Sequence, residues 1–370
     1  MSNHFYRNIQ IENFRGIDSL SVRDLEQVNL FVGRNNCGKT TVLESMFLLA
    51  GMSNPGLIQR IEEWRGILPT DGSDLRNLFF NRNHSKQIEI SGENRWVRNL
   101  RVKPLFEDGD IAINVPDSGH KTEYHTKTKS GISVGSSTTD LSIVGLEFSF
   151  KYARLKTELR KGKQYVSTLR LAQQGEVPPL VYQSDARYKE NTLARFISRQ
   201  VMYDPQLVDE MLNSKQKDVI VEFLRKFEPK TVDVRITLDR IIAVDIGLDS
   251  FLPVNHLGGG PGRMLTILSG LYGTRTGILI IDEVENGFHV SSITELWRMI
   301  LEHSRITNTQ VFVTTHSRDV LEGLNDVLVG EQDSVACYWL SKLDSDQIKA
   351  YRYSPLELAG ALDANIDIRH

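Results

Sequence analysis

Alternation of apolar and polar residues, and its interruption, divides this chain into legible stretches. From Phe5 to Phe14 the two kinds alternate, Arg15-Gly16-Ile17 turns the run, and Leu20 and Val22 resume it, the pattern of a strand hairpin. Val28 to Val32 is almost continuously apolar, as in a strand buried on both faces, and Thr41 to Ala50 predicts a mostly apolar helix. A Gly/Asn/Pro break over Gly51 to Gly56 precedes a second helical stretch, Leu57 to Arg65. Period two returns over 86–171, for example in Gln87 to Ser91 and Gly145 to Phe150. Inside it, Asp108 to Asp140 is rich in Gly, Ser, Thr and Lys and reads as a long loop. Residues 185–228 read as helical, with Leu193, Phe196, Ile197, Val208, Met211 and Leu212 at helix-like spacing, and 231–256 return to strand alternation. From 257 to 340 helix and strand alternate three times, which predicts a parallel sheet with helical cover. There is no repeat, low-complexity tract or long heptad run.

The 370 residues suffice for one large domain or two, and 40% hydrophobic with 25% charged residues is ordinary globular composition. A net charge of −3 makes the whole molecule no electrostatic magnet for nucleic acid, so any such role rests on local basic stretches. No apolar run approaches a membrane span, and the polar N-terminus lacks the apolar segment of a signal peptide. Cys37 and Cys337 are too few for a disulfide scaffold or a metal cluster, so the expected compartment is a reducing cytoplasm.

The pattern gains chemistry where strand meets helix. Gly33-Arg34-Asn35-Asn36-Cys37-Gly38-Lys39-Thr40 fits GxxxxGK[ST], a phosphate-binding loop whose glycines let successive amides point at phosphate oxygens. Lys39 is expected to reach the β- and γ-phosphates of ATP and the Thr40 hydroxyl to hold Mg²⁺, with Thr41 opening a helix whose N-terminus favours an anion. Cys37, at that N-terminus, is expected to have a lowered thiol pKa.

Ile278 to Ile281 then run apolar into Asp282-Glu283, placing two acids at the carboxyl end of a buried strand, where α/β sheets bind ligands. Asp282 is suited to hold Mg²⁺ through water and Glu283 to orient or deprotonate the attacking water. Gln310 to Ser317 repeats this grammar, with His316 at the tip placed to hydrogen-bond the γ-phosphate or the water. Gly258, Gly259, Gly260 and Gly262, with Arg263, precede a helix over Met264 to Leu271 and form a second anion-binding device.

In this order the elements resemble the ABC-type ATPases, and within them the branch with SMC, RecF and the overcoming-lysogenization-defect (OLD) family. Ile11 to Ile17 looks like its I-x-NFRG turn, Gly33 to Thr40 like its GxNNxGKT loop, and Thr314 to Ser317 like its TTHS switch. Asp282 to His289 is similar to its DEPENGLH, with Val284 replacing Pro. The resemblance implies an α/β ATPase head with a mixed central sheet, an antiparallel β-lobe and a helical insert. Residues 1–55 and 257–370 form the nucleotide-binding core lobe, 56–184 the β-rich lobe, and 185–256 the helical lobe and return strands. It places Arg15 among the nucleotide-binding residues. It also implies a head-to-tail dimer in which Gly258 to Arg263 of one subunit close on the γ-phosphate held by the other. That loop lacks the usual signature Ser, leaving the Gly260 and Gly262 amides and Arg263 as candidate contacts; Gln183 is a candidate glutamine-loop residue.

The insert is too short and too β-rich for an SMC coiled coil, and about fifty residues follow the TTHS switch, where OLD nucleases continue into a Toprim domain. Asp344-Ser345-Asp346 is read as a hairpin turn. The chain thus resembles the ATPase components of bacterial anti-phage systems, which work with a separate effector, often a nuclease. Alternatives are a RecF-like repair ATPase that clamps DNA on binding ATP, and a scaffold that binds ATP and barely hydrolyses it. Basic strand positions Arg95, Arg98, Arg101 and Lys103, and the stretch 151–170 with only Glu158 opposing its cations, are candidate DNA contacts.

Overall fold

The structure is a computed structural model and describes residues 5–67, 69, 71–94, 96–106, 110–111, 124–128, 131–135, 143–172, 180–200, 204–328, 334–343 and 347–364. The N-terminal alternation folds as a hairpin of β1 (Asn8–Phe14) and β2 (Ile17–Val22), with Ile11 opposite Leu20. β3 (Val28–Val32) runs into the glycine loop and α1 (Lys39–Ala50), followed by α2 (Leu57–Trp64) and the short α3 (Gly72–Arg76), closed by an Asp71 capping box. β4 (Ile88–Glu93), β5 (Val97–Phe106), β9 (Ile143–Ala153), β10 (Tyr165–Leu171) and β11 (Leu180–Gln183) join β1 and β2 in a seven-stranded antiparallel sheet ordered β11-β10-β9-β5-β4-β1-β2. Thus residues 8–22, assigned to the core lobe, belong to the antiparallel sheet.

Between β5 and β9 the expected long loop contains β6 (Asp110–Ile111), β7 (Tyr124–Thr128) and β8 (Gly131–Gly135), a small antiparallel meander. Its residues alternate too weakly in hydrophobicity to announce strands, and backbone pairing defines them. A one-turn helix, α4 (Lys156–Leu159), lies between β9 and β10.

The next stretch corrects the helical expectation for 185–228. Ala194–Ile197 forms β12, which pairs parallel with a central strand, Ile197 beside Ile281. Leu193, Phe196 and Ile197 matched a helical spacing by chance. Phe196 is held instead by aromatic contact, stacked on Trp64 with ring centroids 4.5 Å apart. Helix begins only at α5 (Pro205–Asn213), capped by Asp204, and α6 (Lys217–Arg225). β13 (Asp233–Ile236), β14 (Ile242–Asp245) and β15 (Leu252–Pro253) form the return strands.

α7 (Gly259–Gly273), β16 (Ile278–Ile281), α8 (Ile293–Thr307), β17 (Gln310–Thr314), α9 (Arg318–Val327), β18 (Val335–Lys342), β19 (Ile348–Tyr353) and α10 (Pro355–Asp363) complete the chain. The second sheet is mixed, ordered β12-β16-β17-β3-β18-β19, with only β19 antiparallel to its neighbour. Asp344-Ser345-Asp346 lies outside the described residues; β18 and β19 on either side of it pair antiparallel.

α1 is packed between the two sheets, and every residue in it except Thr40 is buried. That explains why its sequence is apolar nearly all round rather than striped. The core strands are buried on both faces, and their alternation divides them between two cores. Phe31, Ile280 and Phe312 pack on the α1 side, while Leu30, Ile281 and Val313 pack under α7, α8 and α9. The carboxyl ends of β3, β17 and β16, three neighbours in the parallel part of the sheet, therefore open at one edge.

Candidate active site

The glycine loop leaves β3 at Gly33, whose φ of 146° no side chain favours and whose Cβ, were there one, would meet Leu340 O at 2.4 Å. Asn36 and Gly38 also take positive φ, 63° and 89°, so the backbone curls into a cradle. Arg34, Asn35 and Asn36 are exposed on its crest, whereas Thr41 points into the helix core. Lys39 folds over the loop, its Nζ donating to Gly33 O at 2.7 Å and Arg34 O at 2.9 Å. In this way Lys39 braces the cradle from within.

Thr40 Oγ1 donates to both carboxylate oxygens of Asp282, at 3.0 and 3.2 Å, so the residues expected to hold Mg²⁺ meet across 242 positions of sequence. Thr314 Oγ1 donates to Asp282 Oδ1 at 2.7 Å and accepts from Glu283 N at 2.8 Å. Burial pushes the Asp282 carboxyl up, the hydrogen bonds from Thr314 and Thr40 pull it back, and nearby Glu283 and Glu44 add to the rise. The Asp282 carboxylate with the Thr40 hydroxyl in line fits a divalent cation that takes its other oxygens from water and phosphate; among the described residues no group of three acids, histidines or cysteines would hold one alone.

Glu283 sits at φ 49°, a conformation that costs a non-glycine residue about 1–3 kcal/mol. Asn286 Nδ2 donates to its Oε2 at 3.1 Å, and Arg199 Nη1 stands 3.8 Å from its Oε1. His316 Nδ1 lies 3.1 Å from Glu285 Oε1 and 4.0 Å from Glu283 Oε1, and the His316 amide donates to the same Glu285 oxygen at 2.9 Å. Glu285 therefore fixes both the backbone and the ring of His316, with Nδ1 as the protonated nitrogen. Local spacing does not reveal the parts played by Thr314 and Glu285, because their contacts join separate strand ends.

The cations at the site are placed differently from expectation. Arg15 is buried, its Nε 2.8 Å from Glu44 and its Nη2 2.5 Å from Glu62, so its guanidinium is committed within the chain instead of to nucleotide. Arg65 completes the network through Glu44 at 2.7 and 3.0 Å. Burial works against its charge, but Glu44, then Glu62 and Asp282, raise its pKa, which places Arg65 beside the acidic site as a cation the sequence did not single out. The adjoining Asn13 is also structural: its Nδ2 donates to Lys86 O at 2.6 Å.

The Gly258–Arg263 segment is likewise revised. α7 starts at Gly259, five residues before the expected Met264, because Pro261 falls in the first turn, where a missing N–H costs nothing. Gly258 is exposed at φ 103° and Gly260 half-buried, but Gly262 is buried and Arg263 is 0% exposed. Arg263 Nη1 donates to Ser198 O at 3.1 Å, and burial lowers its pKa to about 10 against the pull of Asp282 and Glu285. Arg263 thus faces its own chain, leaving Gly258 exposed at the start of α7 and Gly260 half-buried. Gln183 ends edge strand β11, opposite Thr168.

Cys37 is 3% exposed, and burial raises its thiol pKa despite the nearby Lys39 and loop amides, the reverse of the expected lowering. Cys337 is pushed up to about 12. Folded protein is therefore expected to take up iodoacetamide at neutral pH far more slowly than unfolded protein, as read by mass spectrometry. Prompt labelling of Cys37 in the folded state would show that the loop opens readily.

The basic positions on β5 are also accounted for. Arg98 is buried, bound to Glu190 at 2.6 Å and Ala50 O at 3.1 Å. Arg101 pairs with Glu89 and Lys103 with Glu147 in a concavity of about 1320 Å³ on the outer face of the antiparallel sheet. Arg95 lies outside the described residues. No helix among the described residues is long and apolar enough to cross a membrane.

Residues 28–322 match the model of a family described as "AAA domain, putative AbiEii toxin, Type IV TA system". An ATP/GTP phosphatase of Helicobacter pylori is 21% identical over 350 residues, covering 87% of this chain and 88% of that protein. The DNA replication and repair protein RecF of Shewanella woodyi is 25% identical over 241 residues, 60% of this chain and 58% of that protein. An SMC head bound to the C-terminal winged-helix domain of ScpA aligns with 95% of this chain and 98% of its own, at 10% identity and a TM-score of 0.48.

Proposed function

The chain belongs to this AAA-domain family, and from that premise we propose that it binds and hydrolyses ATP as a head-to-tail dimer or larger assembly controlling a separate effector in bacterial anti-phage defence. The observation that carries the catalytic part is the meeting of Thr40, Asp282, Thr314, Glu283 and His316 at the adjoining ends of β3, β16 and β17. The cradle amides and Lys39 bind the phosphates. Thr40 and Asp282 would hold Mg²⁺, which when bound would neutralise phosphate charge. Glu283, aimed by its positive φ and steadied by Asn286, takes the proton of the attacking water. His316, oriented through Nδ1 by Glu285, presents its other face to the water or the γ-phosphate.

The assembly part is supported by Gly258, exposed at the start of α7, where the helix start would accept an anion brought by another subunit. Light scattering with a non-hydrolysable ATP analogue tests this: the mass should double for the natural protein and stay monomeric for Lys39→Ala. An unchanged mass in both would remove the dimer from the proposal. In cells, Lys39→Ala should abolish phage resistance; full resistance would remove the defence role.

A second reading, a DNA clamp closed by ATP, is favoured by the cations of 151–170. It predicts DNA binding that requires ATP and weakens steeply with salt.

A further inference from the structure

The described cations of β5 are neutralised or buried, but those of the β9–β10 connection are not. Residues 151–170 hold seven Lys and Arg against Glu158 alone. Of these, Arg154, Lys161 and Lys163 form no ion pair among the described residues.

Beside them the apolar face of the sheet runs past the end of its core. Leu146, Phe148 and Phe150 of β9 face inward and are buried, and Tyr152, next on the same face, is 42% exposed. Trp96, just before β5, is 38% exposed and lies 6.1 Å from Tyr152; Tyr165 and Tyr188 lie 6.3 and 5.4 Å from it. Cations sit on this array, Arg154 5.4 Å from the Trp96 ring centroid and Lys163 5.4 Å from that of Tyr165.

Two exposed rings, Trp96 and Tyr152, backed by the buried Tyr165 and edged by cations without an ion pair, match one ligand chemistry closely. Bases present π-faces to the rings while phosphates meet the cations. Duplex bases are stacked on one another and offer no such faces, so a single strand is the fitting occupant. We propose that the β9–β10 hairpin with Trp96 is a binding platform for single-stranded nucleic acid, read by stacking at Trp96 and Tyr152 and by charge at Arg154, Lys161 and Lys163. The platform is formed without nucleotide and does not rest on the ATPase proposal.

Fluorescence anisotropy of the full chain with labelled oligothymidylate and oligouridylate, without ATP, tests it. Binding to either oligomer is expected, weakening with added salt. Trp96→Ala and Tyr152→Ala should each weaken it about tenfold, and Tyr152→Phe should restore it. Lys161→Glu with Lys163→Glu should flatten the salt dependence. Lys39→Ala should leave binding intact, separating this platform from the nucleotide site. Thermal melts matching the natural protein's would show that the ring variants fold. No binding at low salt, equal affinity for a duplex of the same length, or indifference to ring removal would each overturn the proposal.

Discussion

Replacing Glu283 with glutamine should lower ATP turnover about 10²–10⁴-fold while leaving ATP binding nearly unchanged. The substitution keeps the shape and the hydrogen bond from Asn286 Nδ2 at 3.1 Å, and it leaves the Asp282–Thr40–Thr314 cluster untouched. On the proposed mechanism, what it removes is the proton acceptor. Because the loss falls on chemistry and not on binding, kcat should collapse while the affinity measured by a fluorescent ATP analogue holds. The variant should also accumulate as the ATP-bound dimer, since the step that releases it is blocked. Turnover within tenfold of the natural protein would remove Glu283 as the base and leave His316, 4.0 Å away, as the alternative acceptor. Full phage resistance in this variant, with Lys39→Ala inactive, would favour the ATP-binding scaffold over the hydrolysing machine.

Glu44→Ala should cost about 3–5 kcal/mol of stability, the usual penalty for stranding buried charge. Glu44 is 2% exposed and holds Arg15 and Arg65 together, and Arg15 alone continues to Glu62. Removing its carboxylate leaves two guanidinium groups facing one acid inside the packing between α1 and α2. Urea denaturation followed by circular dichroism should show the midpoint fall without a change in slope. Glu89→Ala is the matched control: its partner Arg101 is half exposed, and loss of that pair should cost no more than about 1 kcal/mol. If the two variants lost stability equally, the buried network would not be what fastens the N-terminal hairpin to the nucleotide helix.

Much of this molecule was legible in its residues because the signals are local. A glycine loop between a buried strand and an apolar helix needs only adjacent residues to be recognised. So does a strand such as Ile278–Ile281 ending in acids, or the Thr-Thr-His-Ser tip after β17. The three helix–strand alternations from α7 to β18 appear in the order that periodicity predicts, with the start of α7 the exception. The errors came where short runs fit two periods or where side-chain partners were remote. Leu193, Phe196 and Ile197 fit a helical spacing, but parallel pairing with β16 makes a strand of Ala194–Ile197. The beginning of α7 was misplaced because glycines and a proline weaken helical pattern while remaining compatible with a first turn.

The phosphate loop, the acidic strand end, the histidine tip and the order of elements that carries them follow from local runs of residues. Each of these depends on spacing within a few residues. What each cation does is set by packing between distant parts of the chain. Arg15 and Arg98 are held by acids far away in the chain, and Arg263 is turned onto its own chain at Ser198. Lys39 braces the phosphate loop, and Arg154 and Lys163 are left over aromatic rings. The physical reason is that a charge's energy is set by its burial and its nearest opposite charge. Folding fixes both through contacts between residues that sequence spacing does not relate.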